Sequence, residues 1–210
     1  MLEEKGIFKI SYDEPEFNKE EVLKITGTDI MVNECLNELK GKLTYQVQGR
    51  VISIEEWLKL GFSDLDYLKD AKKLVVFGST LGVEMDRILN KYSGISPAKA
   101  LVFQAIGTER IESLLDKFQE EISKEAERGG LSIKNRISPG YGKFILENQK
   151  ILFKILDLQK GIGLTLNESL SMSPSKSVTG VIPIGNYDCK INKKDKCSLC
   201  DKKECEFRSV

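Results

Sequence analysis

Residues 108–128 constrain the fold more than any other stretch. Ile111, Leu114, Leu115, Phe118 and Ile122 recur at helical spacing and form a single apolar stripe. The run from Gln119 to Arg128 reads as the wet face of that helix, and Gly129-Gly130 ends it. Upstream, Leu74-Val75-Val76-Phe77 is a continuous apolar run of the kind found in buried strands. A long amphipathic helix and a buried strand in one chain demand a layered arrangement of both element types.

The rest of the chain supplies further elements. Residues 6–12 alternate and are expected to form a strand. Asn18 is placed to cap a helix over 19–26 that stops at Gly27. Asp29 is expected to cap a second, with Ile30, Val32, Cys35, Leu36 and Leu39 on one side. Residues 43–54 read as two short strands broken near Gly49, and Ser63 as the cap of a short helix over 64–72. The turn Gly78-Ser79-Thr80-Leu81-Gly82 then leads into a helix over 83–92, and another is expected to begin at Ser96-Pro97. A helix from about 146 to 159 stops at Gly161. Two β-like pieces, 168–173 and 177–184, are joined by Pro174-Ser175-Lys176. Helices and strands follow no regular alternation, so the fold class is α+β rather than a doubly wound sheet. Residues 1–185 are expected to form one domain, and 186–210, polar and lysine-rich, an appendage.

Composition excludes several functions. Among 210 residues there is no histidine, which removes Ser-His and Cys-His nucleophile pairs, histidine zinc ligands and any imidazole ligand to a bound metal. Lys plus Arg equals Asp plus Glu, 32 each, so no global field favours nucleic acid or an anionic membrane. No apolar run approaches the roughly 18 residues of a membrane span. Met1-Leu2-Glu3-Glu4-Lys5 lacks the apolar core of a signal peptide. The expected location is the cytoplasm, where thiols stay reduced.

Arg136-Ile137-Ser138-Pro139-Gly140-Tyr141-Gly142 occupies a break between two helices. Pro139 fixes its own backbone and extends Ser138, while Gly140 permits positive φ or close approach of a ligand. Arg136 presents a fork for a carboxylate, and Tyr141 a ring face for a cation. The same residues also make an ordinary Pro-Gly turn. Gly78 to Gly82 lacks both the P-loop lysine and the three-glycine dinucleotide pattern, and reads as tight strand–helix packing. Trp57 reads as packing.

The order of short motifs separates these readings. Arg136-x-Ser138-Pro139-Gly140-Tyr141 precedes Gly163-Leu164-x-Leu166-x-Glu168-Ser169-x-x-Met172-x-Pro174-x-x-Ser177-Val178-x-Gly180. Earlier come Val22-Leu23-Lys24-Ile25-Thr26-Gly27, Thr80-Leu81-Gly82-x-x-x-Asp86 and Ala105-Ile106-Gly107-Thr108-x-x-Ile111-Glu112. Over roughly residues 5–185 this series resembles the S-adenosylmethionine (AdoMet) binding activation domain of cobalamin-dependent methionine synthase. The resemblance implies a twisted antiparallel sheet flanked by helices, and an activity in reductive remethylation of cob(II)alamin. It implies that Arg136 takes the methionyl carboxylate, that Ile137, Ser138, Gly140 and Ser177 line the ligand, and that Tyr141 lies on the cobalamin-facing side. Asp116 and Glu112 are the candidate acids for the ligand amine. Cobalamin would be carried by a partner, a cobalamin-binding methionine synthase or another corrinoid protein, because the cobalt-ligand motif Asp-x-His-x-x-Gly is absent. The electron would come from a flavodoxin- or ferredoxin-type donor. Methyl transfer to reduced cobalt moves no proton, which suits a chain without histidine. Past Gly180 the family's aromatic strand gives way to Val181-Ile182-Pro183-Ile184 and the cysteine-rich tail, and Tyr187 is the candidate to replace one of its aromatics.

Cys189, Cys197, Cys200 and Cys205 are spaced C-x7-C-x2-C-x4-C. Four thiolates suit a tetrahedral zinc or an iron–sulfur cluster, and spacing alone does not separate them. Cys35 lies on an apolar helix face and is expected in the core. Residues 188–208 carry seven basic and five acidic side chains and one aromatic, Phe207, which is a weak nucleic-acid footprint. Two other functions stay open on sequence grounds: a docking module for a corrinoid protein without ligand binding, and a metal-binding redox accessory protein.

Overall fold

The computed structural model describes residues 6–27, 29–62 and 65–187. Five antiparallel strands form the main sheet in the order β1-β2-β3-β7-β4: β1 Phe8–Tyr12, β2 Tyr45–Ser53, β3 Ala71–Thr80, β7 Ser177–Gly185 and β4 Ser132–Ile133. A two-stranded ribbon, β5 Thr165–Leu166 with β6 Met172–Ser173, stands apart. The helices are α1 Lys19–Thr26, α2 Asp29–Leu39, α3 Ile54–Lys59, α4 Glu84–Ile95, α5 Pro97–Arg128, α6 Asn148–Leu156 and α7 Leu158–Ile162. The expected α+β class and helix-flanked antiparallel sheet are therefore present.

Strand alternation sorts the apolar residues into two cores. Val75 and Phe77 of β3, with Val47, Val51, Ile182 and Ile184, face the stripe of α5. Leu74 and Val76, with Ile52 and Val181, face Leu152 and Leu156 of α6, Leu158 and Ile162 of α7, and Trp57 of α3. The run Leu74-Val75-Val76-Phe77 is continuous because each residue is covered from one side or the other. A third cluster joins α1, α2 and α4 to the first half of α5 through Val22, Val32, Cys35, Met85, Ile88, Phe103 and Ile106.

Several boundaries differ from expectation, each for a packing reason. Gly49 does not break β2. It sits opposite Phe8 and Phe77, where a β-carbon would come within 2.6 Å of the Phe8 ring and 2.9 Å of Val76 O. The helices expected to begin at Ser96-Pro97 and Thr108 are one helix, α5. Gly107, inside it, lets the Lys176 stem and Met85 approach closely. Gln119, assigned to the wet face, is buried, as are Ile122 and Ala126. Ile30 points to solvent while Val32, Cys35 and Leu39 are covered. The short helix over 64–72 is reduced to a 3-10 turn at Asp66–Leu68, and Ser63 lies outside the described residues. Gly78, Ser79 and Thr80 continue β3 into full pairing with β2 and β7 instead of turning. The helix over 146–159 is interrupted at Asp157, whose φ is 48°, and ends at Gly163 rather than Gly161. The piece at 168–173 contributes only Met172–Ser173. The caps at Asn18 and Gly27 are as expected.

Burial sets the alkaline limit of this fold. Cys35 and Tyr45 are almost fully covered, and burial pushes the thiol from 9.0 up to about 11 and the phenol from 10.0 up to about 12. A raised folded pKa means the contribution is complete below the unfolded value and is lost as pH climbs through the folded one. Stability should therefore decline from about pH 9 to about pH 12 as first the thiol and then the phenol ionise. Urea midpoints that stay level between pH 8.5 and 12 would contradict this.

Candidate functional site

The outer edge of β7 is where the chain leaves room. β4 pairs with β7 only at Ser132 and Ile133, and Ile137 adds one bridge to Val181 through bonds of 3.0 and 2.9 Å. Beyond that bridge residues 138–140 peel away, leaving the first part of β7 without a partner strand on this side among the described residues. Gly180 fits beneath: a β-carbon there would sit 2.9 Å from Ile137 O and from the Phe77 ring. Alternation puts Val178 and Gly180 on the α5 side of the sheet. Together with α5 they make a trough whose wall carries Thr108, Glu112 and Asp116, one helical turn apart.

Arg136 closes one end of this trough. Its Nη1 donates to Asp116 Oδ1 at 2.7 Å and its Nη2 to Glu112 Oε2 at 2.6 Å. The side chain is 8% exposed, whereas those of Glu112 and Asp116 are 51% and 39% exposed, so the acids open to solvent and the guanidinium does not. Gln119 explains how Arg136 is held. Its Oε1 accepts from Arg136 N at 3.0 Å and from Nη1 at 3.4 Å, and its Nε2 donates to Asn135 Oδ1 at 3.3 Å. Tyr67 OH donates to Asn135 O at 2.8 Å, tying the segment to the turn before β3.

The loop after Arg136 is rigid at its base and open at its tip. Gly140 has φ 97° and Gly142 φ 55°, values that favour glycine. Gly140 N donates to Phe144 O at 2.6 Å, Tyr141 N to Ser138 O at 3.3 Å, and Phe144 N to Tyr141 O at 3.0 Å. Phe144 is fully buried, 5.6 Å from the Trp57 ring, which stacks on Phe62 at 3.8 Å. Pro139 is buried as well, but Tyr141 is 63% exposed, beside exposed Ile145 and Leu146.

At the other end Lys176 runs under α5. Its stem lies against Gly107 and its Nζ donates to Thr108 Oγ1 at 2.8 Å, while Thr108 itself donates to Gln104 O at 3.0 Å. Burial lowers its pKa, opposed by Asp86. Asp86 is engaged elsewhere: Oδ2 accepts from Ser175 N at 2.9 Å and Oδ1 from the Ser175 hydroxyl. That pair fixes the turn into β7, after the cis Ser173–Pro174 peptide.

The structure thus brings Arg136, Glu112 and Asp116 into contact, and sets Ile137, Ser138, Gly140 and Tyr141 along the same edge. Ser177 lies elsewhere. It is four residues from Val181, about 13 Å along the strand, and on the α6 side, with Oγ 2.8 Å from Thr80 Oγ1 and 2.7 Å from Pro174 O. Tyr187 packs at the β4 end, with Lys134 Nζ 4.6 Å from its ring centroid and its N bonded to Ser132 Oγ. Lys176, Gln119 and Phe144 were not singled out by sequence. Only Gln119 left a trace, a polar residue directly after Phe118 on the apolar stripe. Cys189, Cys197, Cys200 and Cys205 lie outside the described residues. Among the described residues no group of three or more His, Cys, Asp or Glu is placed to hold a metal, and no helix is long and apolar enough to cross a membrane.

This combination of curled antiparallel sheet, long covering helix and Arg-bearing edge loop defines an activation-domain fold. It superposes on the solved structure described as the MetH reactivation domain bound to AdoHcy, with TM-score 0.63 and 14% identity over 88% of this chain and 80% of that one. No curated protein sequence matches the chain. The family described as vitamin B12 dependent methionine synthase, activation domain, matches residues 66–191, more than half of the sequence. The chain belongs to that family.

Proposed function

We propose that this domain binds AdoMet in the trough between α5 and the edge of β7, and presents it to cobalamin carried outside these 210 residues by a cobalamin-binding methionine synthase or a related corrinoid protein. The carrying observation is the Arg136 clamp with Glu112 and Asp116. A guanidinium complements a methionyl carboxylate, and two solvent-facing carboxylates complement an ammonium and a sulfonium. In this reading Gly140 lets the ligand approach the backbone, and exposed Tyr141 marks the side on which the corrinoid docks. Ser177 would act indirectly, by holding the start of β7 through Thr80.

The partner's cobalamin would supply the methyl acceptor: cob(II)alamin, reduced by one electron from a flavodoxin- or ferredoxin-type donor, would take the methyl group of AdoMet and leave AdoHcy in this domain. The side chains of this domain have no proton to move in that step; they position the methyl donor and keep its charges matched. The cytoplasm, where such partners act, is the compartment this reading requires. In the tail from 186 to 210, the four cysteines would bind zinc or an iron–sulfur cluster. Anaerobically purified protein carrying stoichiometric zinc and no iron would end the cluster version.

Calorimetric titration with AdoMet and S-adenosylhomocysteine (AdoHcy) tests the central reading. Saturable binding, followed by methylcobalamin formation with a cobalamin domain and a reductant, is the expected result. No binding, either by the domain alone or by its mixture with a cobalamin domain, would overturn it. The exposed apolar group Tyr141, Ile145 and Leu146 favours a second reading, a docking module that has lost its ligand. The same titration decides between them.

A further inference from the structure

We propose that Lys176 is a second cation for the ligand carboxylate, set at the other end of the trough from Arg136; this inference rests on the AdoMet reading above. Lys176 stands out because its charge is poorly matched inside the protein. The side chain is 8% exposed, yet among the described residues it forms no ion pair, and its partner is the hydroxyl of Thr108. A nearly buried ammonium without a paired carboxylate is unfavourable unless something completes it. The nearest acid by charge, Asp86, spends both oxygens on Ser175.

Position gives the unmatched charge a use. Thr108 and Glu112 are one turn apart on α5, so their β-carbons are about 6 Å apart. Lys176 reaches the first and Arg136 the second. The two cations therefore flank one turn of the trough wall. A carboxylate has two oxygens and about four acceptor sites, so a single one seated between the cations can take a donor from each side. Among the groups of AdoMet the carboxylate is the single anion, so it is the group an unpaired ammonium would select. With a second cation on the carboxylate, Glu112 and Asp116 keep Arg136 and still present their solvent-facing oxygens to the ligand ammonium. Gly107 is what permits this: its missing β-carbon leaves the channel through which the Lys176 stem passes under the helix, with Cε only 3.0 Å from where that carbon would be.

The test compares AdoMet with decarboxylated AdoMet, which keeps the nucleoside, sulfonium and amine. K176M preserves the stem against Gly107 and removes the charge, and K176Q does so with a shorter polar end. Each should weaken AdoMet binding by about tenfold or more, the usual scale for a charged hydrogen bond, and change decarboxylated AdoMet by less than about twofold. Equal losses for both ligands, or no loss for either, would overturn the role assigned to Lys176 while leaving the AdoMet reading intact. Failure of the unaltered protein to bind AdoMet would overturn both. Circular dichroism melting of each variant identifies a loss that comes from unfolding; it would appear equally with both ligands and so counts against the proposal.

Discussion

Arg136→Ala is expected to cost about 2–5 kcal/mol of AdoMet affinity, the range for truncating one partner of a buried, hydrogen-bonded charge pair. The guanidinium is nearly enclosed and bonds to both Gln119 and Asp116, so truncation removes a charge that its surroundings hold in place for the ligand. What remains is a pair of carboxylates one turn apart, which still attract the ligand amine but repel its carboxylate. Stability should change far less than affinity, because Glu112 and Asp116 are half in solvent and like charges at that spacing cost only about 0.2–0.5 kcal/mol. Arg136→Lys should recover little, since an ammonium cannot span both acids as the fork does. Calorimetry with AdoMet measures the loss, and a change smaller than about threefold would mean that Arg136 does not touch the carboxylate.

The second large effect concerns folding and the loop together. Phe144→Ala should destabilise the domain by about 3–5 kcal/mol, as for other fully buried phenylalanines. The ring fills the space beside Trp57 and Phe62, and its removal leaves a cavity that two large rigid rings cannot collapse into. The backbone of the same residue bonds to Gly140 and Tyr141. Loosening Phe144 therefore also loosens the loop, and AdoMet affinity should fall even at temperatures where the variant is folded. Tyr141→Ala gives the contrast: with the ring 63% exposed, stability should stay within about 0.5 kcal/mol. Urea unfolding measures both variants; a loss below about 2 kcal/mol for Phe144→Ala would show that the aromatic cluster repacks.

Sequence patterns reported this fold well where local chemistry decides the outcome. Asn18 and Gly27 bound α1 because a side-chain oxygen and a left-handed glycine satisfy helix ends without outside help. The α5 stripe survives because a single face is covered. Two of the misreadings fall where a glycine serves a neighbour rather than its own backbone. Gly49 and Gly107 look like breaks in the text, but each keeps its element continuous while admitting Phe8 or Lys176. β4 escaped notice because two residues carry no periodicity. At the site, Arg136, Asp116 and Glu112 were accessible through the resemblance of ordered motifs. Lys176 was not, since a lysine in a polar turn looks like any solvated lysine until the helix above it is placed.

The unbroken helix α5 has one last consequence. At 1.5 Å per residue its 32 residues make a beam about 48 Å long. One end is clamped in the α1, α2 and α4 cluster, and the remainder lies across the sheet. Thr108, Glu112 and Asp116 are graduations on that beam, and their spacing cannot adjust to a guest. Opposite stands a short hairpin of chain with two left-handed glycines. The two sides of the trough thus differ in kind, a helix whose register is set along its whole length and a hairpin pinned at its base. A bulkier or longer ligand should therefore displace the tip of the hairpin before the helix, on the side that Tyr141 turns to the outside.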